Sequence, residues 1–402
     1  MKKRLISFLL ILMVLCAALP VSASAAGEVT INVYNWGQYI SDGTDGSIDV
    51  IAEFEKTYPN IKVNYSTFDS NESMYTKLKT GGTTIDVIIP SDYMIEKLIA
   101  EDMLLPLDYN NIPNYSYIDE SFKSLAYDPL NLYSVPYTWG CVGIIYNTKY
   151  VDAADATGWE LLWNEKYADK ILMFDNPRDA FAVAQSELGL DPNGETEADL
   201  QTAAGKLREQ KPLVQGYVMD QIFGKMERGE AWIAPYYAGD FLLMQQTNPD
   251  LAFLMPQEGF NLFVDAACIP TCCENKAAAE TFINFLTEPE IMGQNLEYLG
   301  YSAPASAAKE FMSDEVAQSP IAYPEAATLA HGFSFSALSE PGTQLMNRLW
   351  LEVKTDGTSA LLYWILGGVA VLAVVAIWLF LKVRRRRKKA QRGKNRETDR
   401  KD

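Results

Sequence analysis

The sequence has one histidine, His331, and only five cysteines in 402 residues. It contains no GxSxG, GxxxxGKS/T, HExxH or GxGxxG motif. A single imidazole leaves little acid–base machinery near neutral pH, so a catalytic role is not expected. Paired carboxylates remain as an alternative, but nothing in the sequence sets two of them opposite a bond. Four cysteines lie beyond the N-terminal apolar run: Cys141, Cys268, Cys272 and Cys273. That is too few for a disulfide scaffold, although Cys268 is close enough in sequence to Cys272 or Cys273 to pair. With no CxxC pair, neither a zinc site nor any other metal or cofactor is expected.

Basic residues are scarce through most of the chain. Of 34 Lys and Arg, three lie at positions 2–4 and twelve after position 381, which leaves 19 between. Of 52 Asp and Glu, only Glu397, Asp399 and Asp402 lie in the tail, which leaves 49. The central region therefore carries a net charge near −30, against −18 for the whole chain. Such a surface repels nucleic acid and attracts cations.

Long apolar runs occur only at the two ends. Lys2, Lys3 and Arg4 precede an apolar stretch from Leu5 to Leu19, and Ala23-Ser24-Ala25 fits a cleavage site. Residues 1–25 read as a secretory signal peptide. Leu15 before Cys16 argues against lipid attachment there, since a small residue is wanted. Ala360 to Leu381 is 22 residues without a charge. As a helix it would span about 33 Å, enough for a bilayer core. Tyr363, Trp364 and Trp378 sit near its ends and KVRRRRKKAQRGKNR follows. The expected topology is a single transmembrane helix at 360–381, a basic cytoplasmic tail at 382–402, and everything earlier outside the cytoplasm.

Between these ends, strand and helix patterns alternate. Strands are expected at Thr30 to Trp36, Ile61 to Phe68 and Asp86 to Pro90, with helices at Ile48 to Tyr58, after Ser70 and after Ser91. This order predicts an α/β domain with a largely parallel sheet. Tyr133 to Asn147 is a long extended stretch that suits a crossing to a second lobe. Trp159 to Tyr167 reads as a short helix, Lys170 to Phe174 as a strand, and Asn176 with Pro177 as a helix start. Helices are expected at Leu200 to Gln210, Gln221 to Arg228 and Lys276 to Leu286, the last capped by Asn275. Trp232 to Tyr237 reads as a strand, and Phe260 to Pro270 as the return crossing. Two α/β lobes joined by two crossings make a clamshell. Ligands in open α/β sheets bind beyond the carboxyl ends of strands, which points to Trp36, Ser91 and Asn176. Gly37, lacking a side chain, would let a ligand or the opposite lobe come close.

The chemistry that remains is aromatic walls and carboxylates. Ring faces and anions together suit an ammonium group, and flat rings suit methylene chains. Desolvating an amine costs several kcal/mol unless an acceptor replaces its water. An acid buried in an apolar run, such as Asp265 in FVDAACIP, therefore calls for a partner.

The segments YNWGQYI (34–40), STFDSNESMYTKLKTG (66–81), DVIIPSDYMIEKL (86–98), YSVPYTWGCVGIIYN (133–147), WELLWNEKY (159–167) and GYSAPA (300–305) resemble the periplasmic polyamine-binding proteins of ABC transporters, the spermidine/putrescine-binding family. The resemblance runs from about Glu28 to about Val353. It implies a two-lobe periplasmic-binding-protein-like clamshell, to which this chain adds the C-terminal transmembrane helix. Lobe 1 is expected over 26–138 and 265–309, lobe 2 over 139–264 and 310–354, with a linker at 355–359 within EVKTDGTS. It implies capture of a polyamine, putrescine or spermidine, and delivery to an ABC permease and its ATPase. The same fold could serve another organic cation, or act as a surface receptor without transport.

Residue by residue, the resemblance implies that Asp179, Asp240 and Asp265 receive amines. Trp36, Tyr93, Tyr237, Phe263 and Tyr301 match the aromatic walls. Ser91 and Asn176 match polar positions of the cleft. Gly37 departs from the hydroxyl residue common in the family, and Phe335 stands where a glutamine is common. The matched hinge segments are Tyr137 to Gly140 and Val264 to Ala266. Each residue also has a structural reading. Ser91 and Asn176 suit helix caps, Asp179 suits a helix dipole, Asp240 suits a turn, and the aromatics suit a core.

Overall fold

The computed structural model describes residues 27–355. The expected signal peptide (1–25), transmembrane helix (360–381) and basic tail (382–402) lie outside the described residues. Among the described residues, no helix is long and apolar enough to cross a membrane.

The first half begins with β1 (Val29–Trp36), α1 (Val50–Thr57), β2 (Ile61–Phe68), α2 (Asn71–Thr80), β3 (Val87–Ile88) and α3 (Asp92–Ala100). A long strand, β4 (Ser134–Asn147), leads into β5 (Ile171–Phe174), α4 (Pro177–Glu187), α5 (Glu197–Gln210), β6 (Val214–Val218) and α6 (Ile222–Glu227). Then come β7 (Ile233–Tyr237), α7 (Ala238–Thr247), β8 (Leu251–Leu254) and β9 (Phe260–Cys268). The chain closes with α8 (Lys276–Leu286), α9 (Pro289–Leu299), α10 (Asp314–Ala317), α11 (Ala326–Leu329), β10 (Gly332–Phe333) and α12 (Glu340–Thr355).

The strands join in the order β2-β1-β3-β9-β4-β7-β5-β6, with β10 beside β9 and β8 beside β4. The expectation of a largely parallel sheet needs correction. β1 is parallel to β2 and β3, and β5 is parallel to β6 and β7. The two central strands β4 and β9 run antiparallel to each other and to their neighbours β7 and β3. The reason is topological. Each half keeps its parallel set, and the crossings are themselves strands that enter from opposite directions. β4 pairs with β9 at its start and with β7 and β8 at its end, so it belongs to both halves. Its ladder with β9 shifts register between Pro136 and Thr138.

Each half has its own core. One surrounds Ile31, Val33, Phe54, Val87, Phe282 and Leu296. Phe54 is fully buried and meets Phe282 edge-on at 4.9 Å. Burying such a ring contributes about 1.5–3 kcal/mol. The other surrounds Ile144, Trp159, Leu172, Phe181, Phe241 and Trp350. A third cluster, with Met74, Ile88, Ile95 and Leu98, fills the space under α2 and α3.

Local expectations changed at several points. Ser70 caps α2 as its sequence suggests, accepting from Ser73 N–H. Ser91 sits at the cap position of α3 but makes no capping bond. Asn275 does not cap α8 either; its amide donates to the Thr30 carbonyl at 3.2 Å. Trp159 to Tyr167 forms two 3-10 turns rather than one helix. The four cysteines are free thiols. Cys268 points into the buried face of β9, while Cys273 turns toward Asp86, so the Cys268 pairing does not form. Glu352 to Thr355, the first part of EVKTDGTS, are the last described residues of α12, so Thr355 of the expected linker at 355–359 is helical and residues 356–359 lie outside the described residues. Met346, Leu349, Trp350 and Val353 bury one face of that helix.

Candidate functional site between the two halves

β1 delivers Trp36 to the edge of the sheet, opposite Phe68 of β2 in register. The two rings lie 4.7 Å apart. Asn35, fully buried, then shapes the turn: its carbonyl oxygen accepts from Trp36 N–H and its amide donates to the Tyr39 carbonyl. Gln38 adopts a positive φ of 50°. Tyr39 is thereby thrown inward, where its hydroxyl donates to Asp265 Oδ2 at 2.6 Å.

Asp265 lies on β9 and is 4% exposed. It forms an isolated bridge with Ser91, whose hydroxyl also hydrogen-bonds its carboxylate. This is why Ser91 does not cap α3. Burial pushes the Asp265 carboxyl up to about 6, against the lowering effect of Tyr39 and Ser91, with Asp179 adding to the rise. Asp265 Oδ1 has no partner among the described residues.

Asp179 stands in the first turn of α4. Asn176 caps that helix, accepting from Asp179 N–H at 3.1 Å while its own amide donates to the Asp179 carboxylate. The Tyr237 hydroxyl donates to the same carboxylate at 2.8 Å. Burial raises this carboxyl to about 6 as well. Asp240, in the first turn of α7, is hydrogen-bonded by Tyr301. Burial raises it to about 8, with Tyr301 lowering it and Asp220 adding to the rise. Tyr301 can lie over this turn because position 239 is glycine. A Cβ there would sit 2.4 Å from the ring.

Each of the three buried acids thus has one tyrosine: Tyr39 on Asp265, Tyr237 on Asp179, Tyr301 on Asp240. The rings form a wall. Tyr39 meets Tyr301 at 5.2 Å, Tyr301 meets Phe263 at 6.2 Å, and Phe263 meets Tyr237 at 5.6 Å. Tyr93 closes another side, its hydroxyl donating to Glu72 at 2.9 Å and its ring edge-on to Phe335.

Together these groups border one cavity of about 710 Å³, counting the part open to solvent. All ten residues singled out in the sequence line it: Trp36, Ser91, Tyr93, Asn176, Asp179, Tyr237, Asp240, Phe263, Asp265 and Tyr301. Phe335 lines it too, and carries the Arg178 guanidinium 3.9 Å above its ring. The close approach at Gly37 is made by the opposite half. A Cβ on Gly37 would lie 2.4 Å from Asp220 Oδ2.

Sequence reading missed Tyr39, Asp69, Asp220, Phe223, Tyr236 and Asn261, which also line the cavity. Tyr39 was visible in the YNWGQYI segment but not its reach to Asp265. Asp220 follows the carboxyl end of β6, the position that pointed to Ser91 and Asn176. Gly216 within β6, and the lack of alternation around it, hid that strand. The cavity is lined by five aspartates and by no lysine, arginine or histidine. An empty cavity of this kind can hold its charge only by protonating some of the acids or by admitting cations.

Residues 49–325 match the family model described as bacterial extracellular solute-binding protein. The chain is 33% identical over 317 residues to the spermidine/putrescine-binding periplasmic protein of Escherichia coli K12, covering 78% of this chain and 89% of that one. It is 30% identical over 360 residues to the putrescine-binding periplasmic protein of the same organism, covering 84% and 95%. Among solved structures it is similar to a spermidine/putrescine ABC transporter substrate-binding protein from Streptococcus pneumoniae. That likeness has a TM-score of 0.68 and 36% identity, covering 81% of this chain and 99% of that chain.

Proposed function

This chain belongs to the bacterial extracellular solute-binding protein family, and on that premise we propose that it captures a polyamine, putrescine or spermidine, and hands it to an ABC permease driven by its ATPase. As a family member it is a binding protein and not an enzyme. One observation carries the choice of ligand. Three tyrosine-capped aspartates, with no basic residue among them, surround an apolar ring wall.

The acids fall into two electrostatic groups. Asp265 feels the charge of Asp179, while Asp240 feels that of Asp220 instead. Two anionic poles separated by rings suit a rod with an ammonium at each end and methylenes between. Each tyrosine leaves its aspartate lone pairs free to accept from the ligand, so the amines regain hydrogen bonds lost with their water. Closure would bend β4 and β9 near Tyr137 to Gly140 and Val264 to Ala266. The register shift between Pro136 and Thr138 supports a bend there. The lobes that move would be 26–138 with 265–309 against 139–264 with 310–354.

Calorimetry against putrescine, spermidine, choline and a set of amino acids tests this reading. Saturable binding of the two polyamines, with choline and amino acids at least about a hundredfold weaker, is expected. Preference for choline or an amino acid would replace the ligand while leaving the family intact.

Residues 360–381 are proposed to tether the binding domain to the membrane that holds the permease. In the sequence only residues 356–359 separate Thr355 from Ala360, so the domain would stay at high effective concentration near its partner. Cell fractionation checks this. The full chain should pellet with membranes, and a chain ending after Thr355 should not; recovery of both in the same fraction would refute the tether.

A further inference from the structure

A second cavity shares Tyr93 as a wall with the acidic one. It measures about 770 Å³, counting the part open to solvent, and lies between α2 and α3 of one half and α4 and α12 of the other. Arg178, at the start of α4, and Glu72, in the first turn of α2, both line it. Arg178 is 2% exposed. Its Nη1 donates to the Pro192 carbonyl at 2.7 Å, and its Nη2 to Asn193 Oδ1 at 2.6 Å and to the Ser336 carbonyl at 3.4 Å. All of these acceptors are neutral, and Nε has no partner among the described residues. Glu72 accepts the Tyr93 hydroxyl on Oε1 at 2.9 Å, while its buried Oε2 has no partner among the described residues.

One cation and one anion therefore border this space without pairing with each other. Burial pushes the Glu72 carboxyl up and the Arg178 guanidinium down, so each is charged against its surroundings. Lys97, on the same wall, does not relieve Glu72, because it is bound to Glu101 at 2.8 Å and to Glu340 at 3.4 Å. Met94, Leu338 and Met346 add an apolar wall. A lone anion would satisfy Arg178 and repel Glu72, and a lone amine would do the reverse. Water can hydrogen-bond to either atom, but it balances neither charge and leaves the apolar wall wet. A zwitterion answers both. The free Glu72 Oε2 accepts only from an N–H or O–H donor, so a quaternary ammonium does not serve. An α-amino acid with an aliphatic side chain has every part: a carboxylate for Arg178, a primary ammonium for Glu72, and hydrocarbon for the apolar wall.

We infer that the second cavity is a site for a small α-amino acid with an aliphatic side chain, held between the two halves by Arg178 and Glu72 and separate from the cavity of the aspartates. Its occupant touches α2 on one side and α4 on the other, so anything that brings the halves together favours it. By linkage it favours closure in turn, and each cavity's ligand supports binding in the other.

The test is calorimetry of the purified full chain held in saturating spermidine. The titrants are leucine, isocaproate (leucine without its amine) and isoamylamine (leucine without its carboxylate). Leucine should bind saturably, once per chain, with an affinity at least about a hundredfold below that of spermidine. Each half-analogue should bind at least about tenfold more weakly than leucine. Leu338→Trp should fill the cavity and abolish leucine binding, while spermidine affinity stays within about twofold. Glu72→Gln should cost leucine about tenfold and leave isocaproate no weaker, a pattern that a damaged fold does not produce. Absence of saturable leucine binding overturns the inference. So does leucine that spermidine displaces, or a Leu338→Trp chain that binds leucine as the native chain does. Should the protein bind no polyamine, the same titrations without spermidine still decide the inference. Leucine in the second cavity is lost with Leu338→Trp and kept with Asp265→Asn, and the opposite pattern overturns it.

Discussion

Replacing Asp265 by asparagine is expected to weaken spermidine and putrescine binding at least about thirtyfold, or roughly 2 kcal/mol. The variant keeps the size of the side chain. It can still accept a hydrogen bond from Tyr39, so the loss measures the charge. Asp265 is the acid with the strongest claim to a ligand, because it lies on the strand shared by both halves and keeps one buried oxygen unpartnered. Removing a buried partner of a charged pair costs more than removing an exposed one, since no water fills the gap.

A purely structural aspartate would behave differently. Burial already raises this carboxyl to about 6, so at pH 8 the empty protein carries a charge that its surroundings disfavour. Asparagine relieves that cost. The empty variant should therefore melt no lower than the native protein at pH 8, while binding fails. A lowered melting temperature together with unchanged polyamine affinity would assign Asp265 to the fold alone.

Much of this site was legible because strand ends are legible. β1 and β5 are apolar runs closed by turn residues, and the rule that ligands lie beyond carboxyl ends led to Trp36 and Asn176. Asp265 stood out because an acid inside an apolar run must be answered by something. The family resemblance supplied the roles of Tyr237, Asp240 and Tyr301, which spacing alone does not reveal. Other features were hidden for physical reasons. Whether β9 runs parallel or antiparallel beside β3 depends on chain far away in sequence, and periodicity is blind to direction. β6 is half-buried and contains Gly216, so neither alternation nor an apolar run marks it, and Asp220 was lost with it. α12 begins with Glu340, Pro341 and Gly342, which read as a break. Yet Met346, Leu349, Trp350 and Val353 recur at helical spacing and were open to be seen. The tyrosines were the most deceptive. Tyr39, Tyr237 and Tyr301 look like core residues by composition, and all three are mostly buried, but each turns its hydroxyl to an aspartate.

Ligand affinity and the stability of the empty protein are expected to respond to pH in opposite directions. Asp179 and Asp265 lie at about 6 and Asp240 at about 8 in the empty cavity, all raised by burial. An unfolded aspartate titrates near 3.9, so between pH 4 and 8 the folded protein holds more protons than the unfolded chain. Its stability therefore falls as pH rises through that window, and the empty protein should melt higher at pH 5.5 than at pH 8. Polyamine binding needs the opposite state. A primary ammonium, like that of lysine at about 10.4, stays charged throughout this range, so the change comes from the carboxylates. Acidification from pH 8 to 5.5 should weaken binding by at least about thirtyfold, with Asp240 protonated first and Asp179 and Asp265 later. Near pH 7 the ligand must displace the proton on Asp240, and calorimetry in two buffers of different ionisation enthalpy should detect up to about one proton released per ligand. Affinity that stays flat from pH 5.5 to 8 would mean that the ligand does not meet these acids. An empty protein that grows more stable toward pH 8 would mean that they are not strained by burial. The Asp240→Asn variant separates the two contributions. It should lose the proton release at pH 7 while keeping the fall in affinity below pH 6.5 that Asp179 and Asp265 cause.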